Sequence, residues 1–467
     1  MKKSLSITVI TKLSTPNAGN QAISTELIRL LKRTYVDAQI YTGWREPGLE
    51  QYSFTRLQHT GKDPLATLDK WAGHILERHD SSQQAASQVE DGLRQTLQAF
   101  KITQNGHNPD GIVELVCDKN LPLVLRLYNK GLRTLKAPID RWRGYGRGYE
   151  RWLNVLKCSD RVLYSPAGVV SDVQADYLVR DFLVLRIAQR LGARVTAVNQ
   201  SIEIYHPPLL RLLGRLYSSF DAIVVRDYLS AQLLMEIQVP QERIKLAPDT
   251  AFLAYPYSME RHELNEIIAR EKIEPGTVGI VAIPGEGFSF PEWGKVIQGL
   301  QALGKGILFI SNQMSTDALI GKELQKLYGI QVLSRQYEYR EYISILSLLE
   351  LVISERYHTC VFSAVANRPF IPLKTSANAK RKMLGIASLL NYEIPAVDTT
   401  CSNWSNYVAE DIRNIYSHYD KIVACLKAAV LYMRELAEQN VKRNGSIATG
   451  HLWKTNVDDG HFEMTSM

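Results

Sequence analysis

An arginine and a histidine stand two positions apart in the segment Ser-Glu-Arg-Tyr-His, at Arg356 and His358. A guanidinium is a permanent cation whose planar fork binds a carboxylate or phosphate through two parallel hydrogen bonds. An imidazole changes its charge near neutral pH and can therefore pass a proton to or from a reacting group. The pair predicts a site that binds an anion and moves a proton, with a satisfied packing histidine as the alternative for His358.

A strand, a helix and a second strand are expected around this pair. The apolar run Leu351–Ile353 predicts a buried strand, a helix should extend from about Arg356 to Ala366, and Phe370–Leu373 predicts the next strand. In an open parallel sheet, ligands bind beyond the carboxyl ends of the strands, where helix N-termini attract anions. Such a βαβ unit places the pair at an anion site. Ser354 could cap the helix, which would explain this serine without any ligand.

A second strand-to-helix turn, at Asn17, Gly19 and Asn20, carries glycine and amide side chains after a strand predicted at Leu5–Ile10. Gly19 permits a tight turn, and Asn20 is expected to cap the following helix. That helix is predicted from an apolar face formed by Ile23, Leu27, Leu30 and Leu31. An ordinary loop between strand and helix is the alternative interpretation of this turn.

A second cation, Arg226, follows the strand predicted at Asp221–Val225 and opens the next helix. Arg226 and Arg356 thus occupy equivalent turns in the two halves of the chain. If the halves face each other across a cleft, both guanidinium groups could reach one ligand. A surface ion pair with Asp227 is the alternative for Arg226.

The order of these motifs resembles the polysaccharide pyruvyl transferase family. The resemblance covers residues 5–45 and 158–395. It rests on Ser-X-Arg-X-His before the X-Pro turn, a glycine turn at 165–172, Asn199-Gln200-Ser201, Arg-Asp-X-X-Ser from Arg226 and Pro-Asp-X-Ala-Phe at 248–252. Enzymes of this family move the enolpyruvyl group of phosphoenolpyruvate onto two hydroxyls of a sugar, form a cyclic ketal and release phosphate.

The resemblance implies a role for each matching residue. His358 would be the general acid or base, and the donor would be bound by Arg356, Arg226 and Lys382. The expected acceptor-side or loop residues are Asn17, Gly19, Asn20, Gly168, Ser201 and His206. The sequence departs from the family pattern at two places on the acceptor side. The glycine turn keeps only Gly168, and a family Gly-Pro is replaced by Ile202-Glu203-Ile204. A solvated lysine is the alternative for Lys382.

The composition limits the compartment and the kind of ligand. A formal net charge of +7 favours anionic ligands or surfaces. The five cysteines are widely spaced without Cys-X-X-Cys, so neither disulfides nor a zinc site is expected, and no other cluster has metal-ligand spacing. No apolar run approaches the ~18 residues of a membrane span, and the N-terminus lacks the apolar core of a signal peptide. A cytoplasmic protein without metal or cofactor is predicted.

The alternation of strands and helices predicts the α/β class, with two Rossmann-like domains facing across a cleft as in two-domain (GT-B-like) glycosyltransferases. Residues 1–255 would form the acceptor-side domain with an elaboration at about 45–157, and residues 276–440 the donor-side domain. The tail 441–467 is expected to be loosely ordered.

The segment Arg141–Trp152, inside the elaboration, carries four arginines and four aromatic residues. It suits sugar stacking or the lipid phosphates at the inner face of a membrane. A solvated helix edge whose aromatics pack inward is the alternative. Nucleic acid is not expected as a partner because no known binding module surrounds the segment. The expected partners are phosphoenolpyruvate, a sugar or lipid-linked oligosaccharide acceptor, and a peripheral membrane contact.

Two rival functions fit the same architecture. A glycosyltransferase dependent on a nucleotide sugar would share the fold, because fold alone does not identify the donor. A catalytically silent scaffold of polysaccharide assembly would explain the altered glycine turn. Thermal protection by a nucleoside diphosphate rather than by phosphoenolpyruvate would identify the first rival, and absent turnover the second.

Overall fold

The structure of the protein is a computed structural model. It describes residues 5–11, 17–43, 49, 52–60, 63–77, 80, 147–166, 170–255, 261–285, 288–312, 314–375, 377–439, 441, 454–455 and 462–463. The chain divides into two compact units. One contains Met1–Trp44, Ser159–Gln174 and Arg194–Met467, and the other contains Arg45–Cys158 and Ala175–Ala193. The domain boundaries expected at residues 255 and 276 stay predictions.

Sixteen strands are seen among the described residues, and the first unit contains two six-stranded parallel sheets. In chain order the strands are β1 (Ser6–Thr11), β2 (Gln39–Gly43), β3 (Arg161–Ser165), β4 (Val170–Ser171), β5 (Arg194–Gln200), β6 (Ile202–Glu203), β7 (Ala222–Val225), β8 (Ile244–Leu246), β9 (Val278–Val281), β10 (Ile307–Phe309), β11 (Gln331–Val332), β12 (Leu351–Ser354), β13 (Phe370–Lys374), β14 (Val397–Asp398), β15 (Lys454–Thr455) and β16 (Phe462–Glu463).

The helices alternate with these strands. In chain order they are α1 (Ala18–Thr34), α2 (Phe54–His59), α3 (64–77), α4 (Arg147–Cys158), α5 (Ala175–Arg190), α6 (Pro207–Tyr217), α7 (Tyr228–Glu236), α8 (Arg261–Glu271), α9 (Phe290–Ala302), α10 (Met314–Tyr328), α11 (Tyr339–Leu348), α12 (Tyr357–Val365), α13 (Ala377–Leu389), α14 (Trp404–Ser417) and α15 (Tyr419–Gln439). A 3-10 turn at Thr250–Leu253 follows β8.

The strand orders are β2-β1-β3-β5-β7-β8 and β11-β10-β9-β12-β13-β14. In each sheet, successive strands are added first on one side of the initial strand and then on its other side. The strand order therefore changes direction between β1 and β3 in the first sheet and between β9 and β12 in the second. Every strand pair within the two sheets is parallel. Strands β9 and β12 are buried along their whole length, which explains their unbroken apolar sequences. The predicted α/β class with two Rossmann-like sheets is confirmed.

Most predicted elements are found within a few residues of their expected bounds, and three local expectations are wrong. Asn20 does not cap α1, because Asn17 is the N-cap and accepts the backbone N–H of Asn20 at 3.1 Å. Ser354 is not the N-cap of α12. Its hydroxyl accepts the backbone N–H of Arg356, which is the N-cap. The continuous helical region expected from Tyr407 is interrupted at His418 between α14 and α15.

Helix α1 and the 3-10 turn connect the first sheet to the core of the second. Ala18, Ala22 and Ile23 of α1 and Phe252 of the turn belong to the same buried cluster as β9, β12 and β13. Tyr339 of α11 donates its hydroxyl to the carboxylate of Glu26 on α1 at 2.6 Å. Residues far apart in the sequence therefore meet beside the N-termini of α1 and α12.

The second unit is helical in its described residues. The guanidinium of Arg186 donates to the carboxylate of Asp69 on α3, and the Asp176 carboxylate accepts the backbone N–H of Phe54. The helix expected at 82–100 and the strand expected at 111–116 lie outside the described residues. Of the segment Arg141–Trp152, the structure describes a helix from Arg147 onward and a buried Trp152.

No helix in the described parts of the chain is both long and apolar enough to cross a membrane.

Candidate functional site

The strand order of the second sheet fixes the position of the site. The order reverses between β9 and β12, and such a reversal opens a crevice at the carboxyl ends of the strands. Glu355 and Arg356 follow β12 at this edge, and His358 lies in the first turn of α12. The predicted pair therefore stands at a topological switch point, beside a helix N-terminus.

Arg226 is buried with 2% of its side chain exposed, so a surface ion pair does not describe it. Its Nη1 donates to Oδ2 of Asp249 at 2.8 Å, and its Nε donates to the hydroxyl of Ser201 at 2.8 Å. The guanidinium also lies over the ring of Tyr357, with its carbon 4.6 Å from the centroid. Burial opposes its charge, but Tyr357 and the nearby carboxylates outweigh burial and raise the pKa of Arg226. The arginine is thus a fixed internal cation.

His358, which comes from the second half of the chain, lies beside both Arg226 and Asp249. Its Nε2 lies 3.4 Å from Oδ2 of Asp249 and 3.4 Å from Nη1 of Arg226. Burial alone would raise the pKa of the fully buried Asp249 carboxyl. The hydrogen bond from His358 and the charge of Arg226 outweigh burial and lower that pKa. One ionised carboxylate therefore holds the arginine and the histidine together.

The backbone of Gly19 closes the other side of the imidazole. A Cβ atom at this position would lie 2.2 Å from Nδ1 of His358 and 2.3 Å from Cγ. Only glycine allows α1 to approach the ring this closely, because real Cβ atoms do not make such contacts. Gly19 thus contributes to the site around His358 because it has no side chain. The sequence had indicated only a turn at this position.

A chain of hydroxyls and a carboxylate supports Arg226. Ser201, which accepts from Arg226, donates its own hydroxyl to Oδ2 of Asp227 at 2.8 Å. Asp227 caps α7 by accepting the backbone N–H and the hydroxyl of Ser230. Gly385 of α13 lies against Asp227, since a Cβ there would be 3.3 Å from its Cβ. The predicted loop residue Ser201 is therefore part of the arginine's scaffold.

Arg356 is the more exposed of the two arginines, with 22% of its side chain accessible. Its Nη2 donates to Oδ1 of the fully buried Asp317 on α10. The hydrogen bond to Asp317 holds the Arg356 guanidinium at the start of α12. A partly open, positioned cation at a helix N-terminus is suited to binding an anion.

Glu355, between β12 and Arg356, is a buried carboxyl with an unusual pKa. Its Oε2 accepts the backbone N–H of Ile283, beyond the end of β9, at 2.5 Å. Burial raises the pKa of Glu355 to about 8, against the opposing effects of the Ile283 hydrogen bond, the nearby Trp293 and the charge of Arg356. This carboxyl is therefore largely neutral at pH 7.

The remaining predicted residues are not brought together. Asn17 and Asn20 form the N-terminal cap of α1. His206 precedes α6, and its backbone N–H faces the carboxylate of Asp172 at 3.4 Å. Gly168 lies outside the described residues, and of Lys382 only its helical position in α13 is described. These assignments remain predictions.

Sequence reasoning missed three carboxylates, Asp249, Asp317 and Glu355. Asp249 stood in the quoted Pro-Asp-X-Ala-Phe motif without a role, and Asp317 and Glu355 drew no interpretation as charged groups. An aspartate in a motif that also contains only small and apolar residues was a usable signal for Asp249. No group of three His, Cys, Asp or Glu side chains in the described ranges could hold a metal ion.

A family model described as polysaccharide pyruvyl transferase matches residues 17–376. Among curated proteins, no relative matches the chain.

Solved structures of low sequence identity share the fold. A putative UDP-N-acetylglucosamine 2-epimerase from Listeria monocytogenes superposes with a TM-score of 0.52 at 10% identity, covering 94% of this chain and 95% of that one. S. aureus MnaA with UDP gives 0.51 at 12% identity and the same coverage. Anabaena HepE with UDP gives 0.50 at 9%, covering 94% and 97%. These likenesses show the fold alone.

Proposed function

The chain belongs to the polysaccharide pyruvyl transferase family, and from this premise we propose that it moves the enolpyruvyl group of phosphoenolpyruvate onto two hydroxyls of a sugar. The acceptor is a polysaccharide or lipid-linked glycan precursor, the product is a pyruvate ketal, and phosphate is released. A transferase with a sugar or glycan acceptor is what the family membership implies. The donor and the ketal chemistry are the proposal.

One observation supports this chemistry most strongly. His358 is held by Asp249, Arg226 and Gly19, two residues after a partly open arginine at a switch point. A carboxylate beside an imidazole favours its charged form and fixes its orientation, whereas the adjacent guanidinium opposes the charge. A positioned proton carrier next to an anion site is what addition of an alcohol to an enol phosphate requires.

In the proposed reaction, His358 gives a proton to the terminal carbon of the enol, and the first sugar hydroxyl bonds to the neighbouring carbon. The proton of that hydroxyl restores the imidazolium. The second hydroxyl then bonds to the same carbon, the carbon–oxygen bond to phosphate breaks, and the last hydroxyl proton leaves with the phosphate. Arg356 binds the anionic donor. Arg226 adds a fixed positive charge beside the imidazole, and Lys382 is proposed to add charge near the phosphate.

Thermal protection tests the donor. Phosphoenolpyruvate at about 100 times its Kd should stabilise the wild type by about 2.7 kcal/mol, measured as a rise in Tm. Arg356→Lys keeps a cation beside the buried Asp317 but loses the planar fork, so it should fold and lose most of the rise. Arg194→Ala removes a surface arginine paired with Asp221 and is the matched control, with an unchanged rise. An undiminished rise in Arg356→Lys would mean that the donor binds elsewhere.

The rival function is transfer from a nucleotide sugar, which the same fold would allow. S. aureus MnaA and Anabaena HepE are described with UDP. UDP should therefore be the second ligand in the thermal experiment. Protection by UDP and none by phosphoenolpyruvate would replace the proposal with the rival. Binding of phosphoenolpyruvate without phosphate release over a panel of sugars would favour the silent scaffold.

A further inference from the structure

Asn199 lies in an irregular part of the first sheet and has an unusual backbone conformation. The pairing of β5 with β7 is irregular between Ala197 and Gln200, where β5 has one residue more than its partner strand. Within this bulge Asn199 has a φ of 59°, in the left-handed region that few residues other than glycine adopt. Bulges and left-handed residues are frequent beside functional sites, where the surrounding contacts hold them in place. The contacts of the Asn199 side chain, which is buried, therefore call for an explanation.

The carboxamide of Asn199 uses both its acceptor and its donors inside the protein. Its Oδ1 accepts the backbone N–H of Thr250 at 3.0 Å. Its Nδ2 donates to the hydroxyl of Ser165 at 3.1 Å and to the hydroxyl of Thr250 at 3.3 Å. Because a backbone N–H can only donate, the amide oxygen must face Thr250, and this fixes the orientation of the amide. Asn199 thus connects the ends of β3 and β5 to the 3-10 turn that begins at Thr250.

This 3-10 turn presents Asp249 to the proposed proton carrier. Asp249 is the N-cap of the turn, and its Oδ1 accepts the backbone N–H of Ala251 at 2.9 Å. Its Oδ2 lies 2.8 Å from Nη1 of Arg226 and 3.4 Å from Nε2 of His358. The backbone N–H that Asn199 accepts belongs to the residue directly after Asp249. A shift of the turn would therefore move the carboxylate relative to the imidazole.

The same network reaches the opposite side of the imidazole. The hydroxyl of Thr250, which accepts from Asn199, donates to the backbone carbonyl of Ile23 on α1 at 2.8 Å. Ile23 lies about one helical turn after Gly19, whose backbone closes the Nδ1 side of the ring. One amide thus holds both neighbours of the imidazole, Asp249 through the 3-10 turn and Gly19 through α1.

We propose that Asn199 is a positioning residue for the transfer reaction. It sets the spacing between Asp249 and Gly19 and thereby the place of the His358 imidazole between them. The inference rests on the proposed function and deepens it, because it assigns a residue that controls turnover through the neighbours of the proton carrier.

The expected signature is a loss of turnover without a loss of donor binding. Arg356, the proposed donor-binding residue, is held by Asp317 and not through this amide. A misplacement of about 1 Å can cost about 100-fold in rate. Variants that break the network should lower kcat for phosphate release per folded molecule at least about tenfold, while the Kd for phosphoenolpyruvate stays within about twofold. A residue that only supports the fold would lower the Tm and leave kcat per folded molecule unchanged.

Asn199→Gly is the first variant, and it should show this loss of kcat. Glycine adopts the left-handed conformation without strain, so the substitution keeps the backbone and removes the amide. Asn391→Gly is the matched control, because Asn391 also has a left-handed backbone, with a φ of 47°, but is exposed. The control should keep the wild-type kcat and Kd.

Two variants of Thr250 test the network independently of Asn199. Thr250→Val keeps the shape of the side chain and removes the hydroxyl, so kcat should fall at least about tenfold. Thr250→Ser keeps the hydroxyl and removes a methyl group, so kcat should stay within about threefold of the wild type. A position that needs only apolar packing would show the reverse order. If Asn199→Gly does not fold, the order of the two Thr250 variants decides.

A wild-type kcat per folded molecule in Asn199→Gly would overturn the inference, and so would a higher kcat in Thr250→Val than in Thr250→Ser. Either result would leave the proposed function standing, because the wild type would still release phosphate from phosphoenolpyruvate. Absence of phosphate release by the wild type with every sugar of the panel would contradict the proposed function itself and overturn the inference with it.

Discussion

Gly19→Ala is the substitution whose consequence the structure defines most sharply. The new methyl group would lie 2.2 Å from Nδ1, 2.3 Å from Cγ and 2.6 Å from Cβ of His358, where ordinary contacts begin at 3.4 Å. The methyl and the ring are thus roughly 1 Å too close, and neither can stay in place. The imidazole must shift relative to Asp249 and Arg226, or α1 must move away from α12.

Both responses have an expected size. Overpacking of a buried position costs about 1–3 kcal/mol of unfolding free energy. A displacement of about 1 Å at a reacting group can reduce turnover about 100-fold. Gly19→Ala should therefore lower the Tm moderately and turnover per folded molecule severely.

The assay is phosphate release per mole of folded protein, measured beside thermal unfolding. Gly299→Ala is the control, because among the described residues no atom beyond its chain neighbours and the backbone of its own helix lies within 4 Å of its added Cβ. Gly299 lies within α9, so its replacement by alanine should stabilise by about 0.5–1 kcal/mol and leave turnover unchanged. Wild-type Tm and turnover in Gly19→Ala would refute the assignment of Gly19 to the histidine site.

Three other substitutions have defined outcomes. Asp249→Asn removes the carboxylate that pairs directly with the buried charge of Arg226 and should cost about 3–5 kcal/mol in denaturant unfolding, whereas Asp221→Asn at an exposed pair should cost less than about 1 kcal/mol. Because the folded pKa of Glu355 exceeds its unfolded value, wild-type stability should fall as pH rises from about 5 to about 8. Glu355→Gln should remove up to ~1.4 kcal/mol of that loss per pH unit. Serines in place of the three arginines at 141, 143 and 147 should abolish sedimentation with anionic liposomes at low salt, and unchanged sedimentation would end the membrane proposal.

Local sequence patterns predicted the strand-to-helix turns that carry the site residues. The partners of those residues are set by contacts between distant parts of the chain. Apolar runs followed by Arg226 and by Arg356 were enough to place both arginines at the ends of parallel strands. The pairing of Arg226 with Asp249 was not predictable, because a carboxylate 23 positions later meets it only through the fold. The same holds for the contact of Gly19 with His358, which joins the two halves of the chain.

Protonation and capping depend on geometry that sequence does not contain. The pKa of Glu355 is raised by burial, which a residue between an apolar strand and an arginine does not reveal. Asn17 and Asn20 are equally good caps by residue type, and the structure selects Asn17 through the starting position of α1.

The most direct test of the account is acceptor-dependent phosphate release from phosphoenolpyruvate, over a panel of lipid-linked sugars, by the wild type and by His358→Gln. The account predicts release that requires a sugar with two suitable hydroxyls and a product that carries the pyruvate ketal. His358→Gln should fold, bind phosphoenolpyruvate and lose about 10²–10⁴-fold in turnover, the usual contribution of a positioned acid or base. Retention of more than about a third of the wild-type rate by His358→Gln would contradict the central role of this histidine.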